Sequence, residues 1–184
     1  KLYCEWTDFH ITPGRVVSER LMNSINLSSK KQKIIYYPAL CSKEPLKSKT
    51  DLYNELNLPK KSKILAIVGR VRNIKGQRIL LAAFSQLVQE FSNLILIIAY
   101  RDTSAKEPEL IRLIQDLVKF DIREQVRLVS ERDDILSLME LADVGIVSSL
   151  ESEVICRVAV EFFSVGTPVV AFPTAVSYTH LRAH

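Results

Sequence analysis

The stretch Ile64-Leu65-Ala66-Ile67-Val68-Gly69-Arg70-Val71-Arg72-Asn73-Ile74-Lys75-Gly76 decides how the chain is read. A short run of apolar residues leads into a polar loop that ends on a glycine. Gln77–Phe91 then places Ile79, Leu80, Ala83, Phe84, Leu87 and Val88 at helical spacing. A second continuous apolar run, Leu94–Ala99, follows. A strand that is apolar at every position buries both its faces. Such strands alternating with helices predict an α/β fold, a parallel sheet covered on both sides.

The same alternation extends outward. Further strands are expected at Ile34–Tyr37, Val126–Val129, Val144–Val147 and Pro168–Phe172. Between them, Pro108–Phe120 spaces Ile111, Ile114, Leu117 and Val118 as one helical face, and a shorter helix is expected from about Asp133 to Ala142. A last helix is expected over Glu153–Val165, where Gly166 supplies the stop and Pro168 opens the next strand. Residues 1–40, with a helix near Pro13–Ser24, read as the tail end of a preceding domain. Residues 41–59 read as a linker and lead-in helix, and residues 60–175 as an incomplete sheet domain. Val176–His184 continues no pattern. It resembles a read-through sequencing adapter and is expected to be foreign, without a folded role.

Composition excludes some classes and leaves others open. Of 184 residues, 47% are hydrophobic and 25% charged, ordinary for a globular domain that buries a core without disulfides or metals. The net charge of +4 suits a phosphate-bearing ligand or an anionic membrane surface. It argues against nucleic acid, because the densest cluster, Lys30, Lys31 and Lys33, has no aromatic residues interleaved. The dispersed Cys4, Cys41 and Cys156 point to reduced thiols in a cytoplasmic setting. The apolar run Leu94–Ala99 is far short of a bilayer span. His180 and His184 lie in the final segment, so His10 is left as the candidate base, and a lone histidine is more often structural.

In an open parallel sheet, ligands bind beyond the carboxyl ends of the strands. The residues found there are Gly69–Gly76, Tyr100-Arg101-Asp102, Ser130-Glu131-Arg132-Asp133 and Ser148–Glu153. Cations gather after one strand and carboxylates after another, which suits a ligand with phosphate at one end and hydroxyls at the other. Arg70 and Lys75 flank a loop that opens a helix, where charge and helix dipole act together on an anion; read alone, the signal is weak, and an ordinary solvated loop is the better reading. Glu153 and Glu161 are eight residues apart, about 12 Å along a helix, and could grip two parts of one extended ligand. The same spacing, with Arg157 between, also suits a surface salt-bridge stripe. Yet the residues between are so apolar that a mostly buried helix is expected. No dinucleotide, Walker, HExxH or Cys/His metal motif is present.

Taken in order, several motifs resemble glycosyltransferase family 4, the "group 1" family of the GT-B fold. They are Gly69-Arg70, Lys75-Gly76, Leu141-Ala142-Asp143-Val144, Ser148-Ser149-Leu150-Glu151-Ser152-Glu153, Glu161 and Gly166-Thr167-Pro168-Val169-Val170-Ala171. The resemblance implies the donor-binding, Rossmann-like half of a two-domain retaining enzyme, working without a bound metal or other cofactor. It implies that Arg70 and Lys75 bind the donor diphosphate, that Glu153 contacts the transferred sugar, and that Glu161 holds the ribose. It places Val129 and Ser130 against the base, with Ser149, Ile155 and Cys156 completing the nucleotide set. The partners implied are a nucleotide-sugar donor and a sugar, lipid-linked or other acceptor, with peripheral association at a membrane's inner face. This chain alone, without an acceptor domain, is expected to be inactive. A GT-B nucleotide-sugar 2-epimerase and a non-catalytic nucleotide-binding module are the alternatives. Val154, Cys156 and Tyr100 stand where the family usually has glycine.

Overall fold

A computed structural model describes residues 8–12, 14–25, 28–35, 46–101, 108–150 and 156–172. The first part is a small βαβ unit. Strand β1 (His10–Thr12), helix α1 (Arg15–Ile25) and strand β2 (Gln32–Ile34) bring Thr12 opposite Ile34 in a parallel pair. The strand expected at Ile34–Tyr37 thus ends by Ile34, and residues 36–45 lie outside the described residues.

The rest is an α/β layer structure. In chain order it runs α2 (Lys49–Glu55), β3 (Lys63–Val68), α3 (Gln77–Glu90), β4 (Leu94–Ala99), α4 (Pro108–Lys119), β5 (Val126–Val129), α5 (Ile135–Leu141), β6 (Val144–Val147), α6 (Arg157–Ser164) and β7 (Val169–Ala171). The five strands are parallel, in the order β5-β4-β3-β6-β7. Strand β4, Leu-Ile-Leu-Ile-Ile-Ala, is buried at every position, as a central strand covered on both faces must be. Alternate side chains divide between two cores. Ile64, Ala66, Ile95 and Ile97 pack with Leu138, Met139 and Phe162 on one face. Ile67, Leu96 and Ile98 pack with Leu81, Phe84 and Leu113 on the other.

Two helices are rotated from their expected faces, and in both cases a polar residue accompanies the rotation. In α3 the buried positions are Gln77, Leu80, Leu81 and Phe84, while Ile79 and Leu87 are exposed. The Gln77 side-chain amide donates to the Arg70 carbonyl at 2.8 Å, and this turns position 77 inward. In α4, Leu110, Leu113, Asp116 and Leu117 are buried, and Ile111, Ile114 and Val118 face out. Asp116 is drawn inward by a two-pronged pair with Arg78, at 2.5 and 3.2 Å. Helix α6 begins at Arg157 rather than at Glu153, because its N-cap, Cys156, has non-helical angles (φ −84, ψ 72). Glu153 and Ile155 lie outside the described residues, as do Cys4, Cys41 and Val176–His184. Among the described residues, no helix is long and apolar enough to cross a membrane.

At the amino edge of the sheet, Asp143 accepts from the Ile64 amide at 2.8 Å and pairs with Lys63 at 3.3 Å. The buried Thr167 hydroxyl donates to the Met139 carbonyl at 2.7 Å. Glycine is required at two further points. A Cβ on Gly145 would come within 2.6 Å of the ring of Phe162, which is fully buried. A Cβ on Gly76 would sit 2.1 Å from the Ser148 carbonyl oxygen, and Gly76 has φ +68.

Gly145→Ala overpacks a well-filled core and is expected to cost about 1–3 kcal/mol in denaturant unfolding. Gly76→Ala meets backbone rather than a side chain, and adds roughly 1–2 kcal/mol for left-handed geometry. It should be the more damaging of the two; the opposite order would contradict the packing described.

Candidate functional site

Because all five strands run the same way, Gly69, Tyr100, Ser130 and Ser148 emerge at one edge of the sheet. Strands β3 and β6 are neighbours although β4 and β5 intervene in sequence. The order of winding reverses between β3 and β6, and a reversal of this kind opens a crevice at the carboxyl edge.

Three features close the loop Gly69–Gly76 onto the segment after β6. The Ser148 hydroxyl donates to the Lys75 carbonyl at 2.7 Å. The Leu150 amide donates to the Ile74 carbonyl at 2.8 Å. Gly76, lacking a side chain, lets the two backbones touch. This holds Lys75 beside Ser149 independently of the lysine's own flexible stem.

Two of the cavities along this edge border Val68. The first, at the reversal itself, is about 20 Å³, room for roughly one water, and Lys75, Ser148, Ser149 and Cys156 help to line it. The second spans the ends of β3, β4 and β5. It is about 200 Å³ and is lined by Gly69, Tyr100, Arg101, Ser130, Glu131 and Arg132, among others. Because Val68 lines both, the two lie beside each other at the end of β3.

The residues singled out from sequence fall into three groups. Lys75, Ser149 and Cys156 meet in the first cavity, where Ser149 and the reduced Cys156 thiol are buried. Ser130 lines the second. Val129 itself is in the core, its carbonyl accepting from the Tyr100 amide at 2.9 Å. Arg70 is exposed on the loop and lines neither cavity. Among the described residues no carboxylate forms an ion pair with it. Glu161 is half-buried on α6, one turn after Arg157. Burial pushes its carboxyl pKa above the usual range, and the Arg157 charge pulls only partly back.

No motif or spacing pointed to the charged cluster at the wall of the second cavity. The Arg132 guanidinium grips Asp134 and also donates to Glu55 at 3.0 and 3.5 Å. Lys47 in turn pairs with Glu55. Hydrogen bonds from Lys47, then from Arg132, hold the Glu55 carboxyl below its usual range, and Arg132 does the same for Asp134. Glu55 is 77 residues from Arg132, and no spacing rule reaches that far.

Residues 48–180 match the family described as Glycosyl transferases group 1. A D-inositol 3-phosphate glycosyltransferase of Corynebacterium jeikeium (strain K411) is 32% identical over 124 residues, covering 65% of this chain and 29% of that protein. A solved glycosyltransferase from Rickettsia africae superposes with a TM-score of 0.83 at 16% identity, over 95% of this chain and 48% of its own. HepE from Anabaena, solved with UDP and glucose, gives 0.81 at 22% identity, over 97% and 47%. The chain therefore spans less than a third of that Corynebacterium relative and about half of these solved structures. The structural likenesses establish the fold, and the family match, which takes in well over half of the chain, establishes descent: this chain belongs to the group 1 glycosyltransferases.

Proposed function

We propose that this chain carries the donor site of a retaining glycosyltransferase, which moves a sugar from a nucleoside-diphosphate sugar to a sugar, lipid-linked or other acceptor. One observation carries the reading: the loop bearing Arg70 and Lys75 is stitched to Ser148–Leu150 at the reversal of the sheet, directly beside a larger cavity. Crystallisation of HepE with UDP and glucose supports it by analogy.

In this reading the diphosphate lies at the reversal, and its nucleoside reaches into the second cavity past Ser130. When the glycosidic bond to the diphosphate breaks, negative charge builds on the leaving phosphate oxygen. Arg70 and Lys75, placed beforehand, stabilise that charge, the work a metal ion does in other transferases. By the family resemblance, Glu153 serves the transferred sugar, and Ile155 and Cys156 serve the nucleotide. Glu161 accepts hydrogen bonds from the ribose hydroxyls. Its raised pKa fits that role, since a half-buried carboxylate gains from ligand donors.

Titration calorimetry of this chain against UDP-, GDP- and ADP-sugars tests the donor assignment. Arg70→Ala and Lys75→Ala each remove a charge-assisted contact of about 1.5–3 kcal/mol, so affinity should fall roughly tenfold to a hundredfold. Loss of affinity in neither variant would sink the diphosphate assignment. Sugar transfer by the parent enzyme with inverted anomeric configuration, read by NMR of the product, would sink the retaining mechanism. Binding without turnover in the parent would favour a non-catalytic module.

For Glu161 the sign of the pH effect is definite. The folded pKa lies above the unfolded one, so the folded chain binds the proton first as pH falls. The ionised carboxylate therefore costs stability in full above that raised pKa, and the cost fades as pH falls through it and is gone only below the unfolded value. Glu161→Gln should leave melting at pH 7 unchanged or slightly raised, while nucleoside-diphosphate affinity drops about tenfold. Arg157→Ala should spare binding. Unchanged affinity in Glu161→Gln would return the pair to a plain salt-bridge stripe.

A further inference from the structure

We propose that Arg132 is a positioning residue for the nucleoside end of the donor, setting the wall of the second cavity and tying it to helix α2. The inference rests on the donor reading above, in that it takes the second cavity to be the nucleoside's.

Arg132 does not behave as a ligand-binding cation. Its side chain is only 12% exposed, and its donors are spent on protein. The fork reaches Asp134 through Nε and Nη2, the latter at 2.6 Å, and Glu55 through Nη1 and Nη2 at 3.0 and 3.5 Å. Two carboxylates against Arg132 and Lys47 make the cluster neutral. Nearer the mouth, Arg101 and Glu131 balance each other across the two loops at 2.9 Å. The second cavity is thus walled by charges that cancel, whereas the neighbouring loop carries Arg70 with no carboxylate paired to it among the described residues. Such a partition steers a phosphate to the reversal and an uncharged planar group to the second cavity.

The fork also fixes geometry. Asp134 is the N-cap of α5, so Arg132 closes the turn in which Ser130 and Glu131 project into the cavity. Glu55 ends α2, and the residues on either side of α2 are fastened to the same flank as well. The Lys47 amide donates to the buried Ser137 hydroxyl at 2.9 Å. Arg127, on β5, donates to the Leu56 and Asn57 carbonyls at 2.9 and 3.0 Å. The cavity wall cannot shift without moving α2, and the reverse also holds. A planar two-pronged donor is needed for this, and a lysine offers only a point charge.

Calorimetry with two probes separates positioning from general stability. The probes are inorganic pyrophosphate and whichever of UDP, GDP and ADP binds the unmodified chain most tightly. Arg132→Ala should lower nucleoside-diphosphate affinity about tenfold or more and leave pyrophosphate within about twofold. Arg132→Lys, which keeps the charge but not the fork, should not restore the loss. Glu55→Gln, a mild change that keeps the fold where Arg132→Ala fails to, should show the same selectivity at about threefold. Equal losses for both probes, or full rescue by lysine, would overturn the proposal. If the unmodified chain binds the nucleotide no more tightly than pyrophosphate, the cavity does not hold the nucleoside, and the proposal falls while the diphosphate assignment stands. If it binds neither, both readings fall.

Discussion

Two backbones touch at Gly76 and Ser148, and the whole candidate site depends on that contact. A polar loop of eight residues between a strand and a helix would otherwise be free to sample many shapes, each at the entropic cost of ordering it. Here Ser148 and Leu150 take up the carbonyls of Lys75 and Ile74, and Gly76 removes the Cβ that would hold the chains apart. The order of the sheet makes the meeting possible, since β3 and β6 are neighbours only because the winding reverses there. The topology opens a crevice, and the glycine decides that the crevice is narrow and flanked by a lysine.

The motif residues divide between the two edges of the sheet, and the division explains why both kinds occur. At the amino edge, Asp143 accepts from the Ile64 amide near the start of β3, and Thr167 donates to the Met139 carbonyl in the last turn of α5. The Met139 carbonyl also accepts from the Ala142 amide, so Thr167 adds a second donor there. At the carboxyl edge, Lys75, Ser149 and Cys156 converge on a cavity. The fold is thus pinned at one edge and left open at the other, which lets the site vary without loosening the sheet.

The sheet was legible because its signal is local: Ile64–Val68 and Leu94–Ala99 are apolar at every position, and only a strand buried on both faces needs that. The site was legible in part, through residues in the loops that follow strands, such as Lys75, Ser130 and Ser149. Helix faces were read less well. In α4 two apolar stripes compete, Leu110/Leu113/Leu117 and Ile111/Ile114/Val118, and hydrophobicity alone does not choose between them. The choice goes with Asp116, which is buried against Arg78 from a different helix. The start of α6 was missed because Cys156, its cap, offers none of the side-chain signals that mark a helix start. The Arg132 cluster was out of reach for the same reason as Asp116: it joins elements far apart in sequence.

Helix α6 shows how a polar residue on an apolar helix separates structure from function. Phe162 and Ala159 anchor it in the core, and Arg157 and Glu161 fall one turn apart on its polar side. An exposed pair of this kind contributes only about 0.3–0.5 kcal/mol. That gain is small, and burial pushes the Glu161 pKa up more than the Arg157 charge pulls it back. A purely structural helix would do better with glutamine or alanine at that position. Glutamate makes physical sense there when something else supplies hydrogen-bond donors.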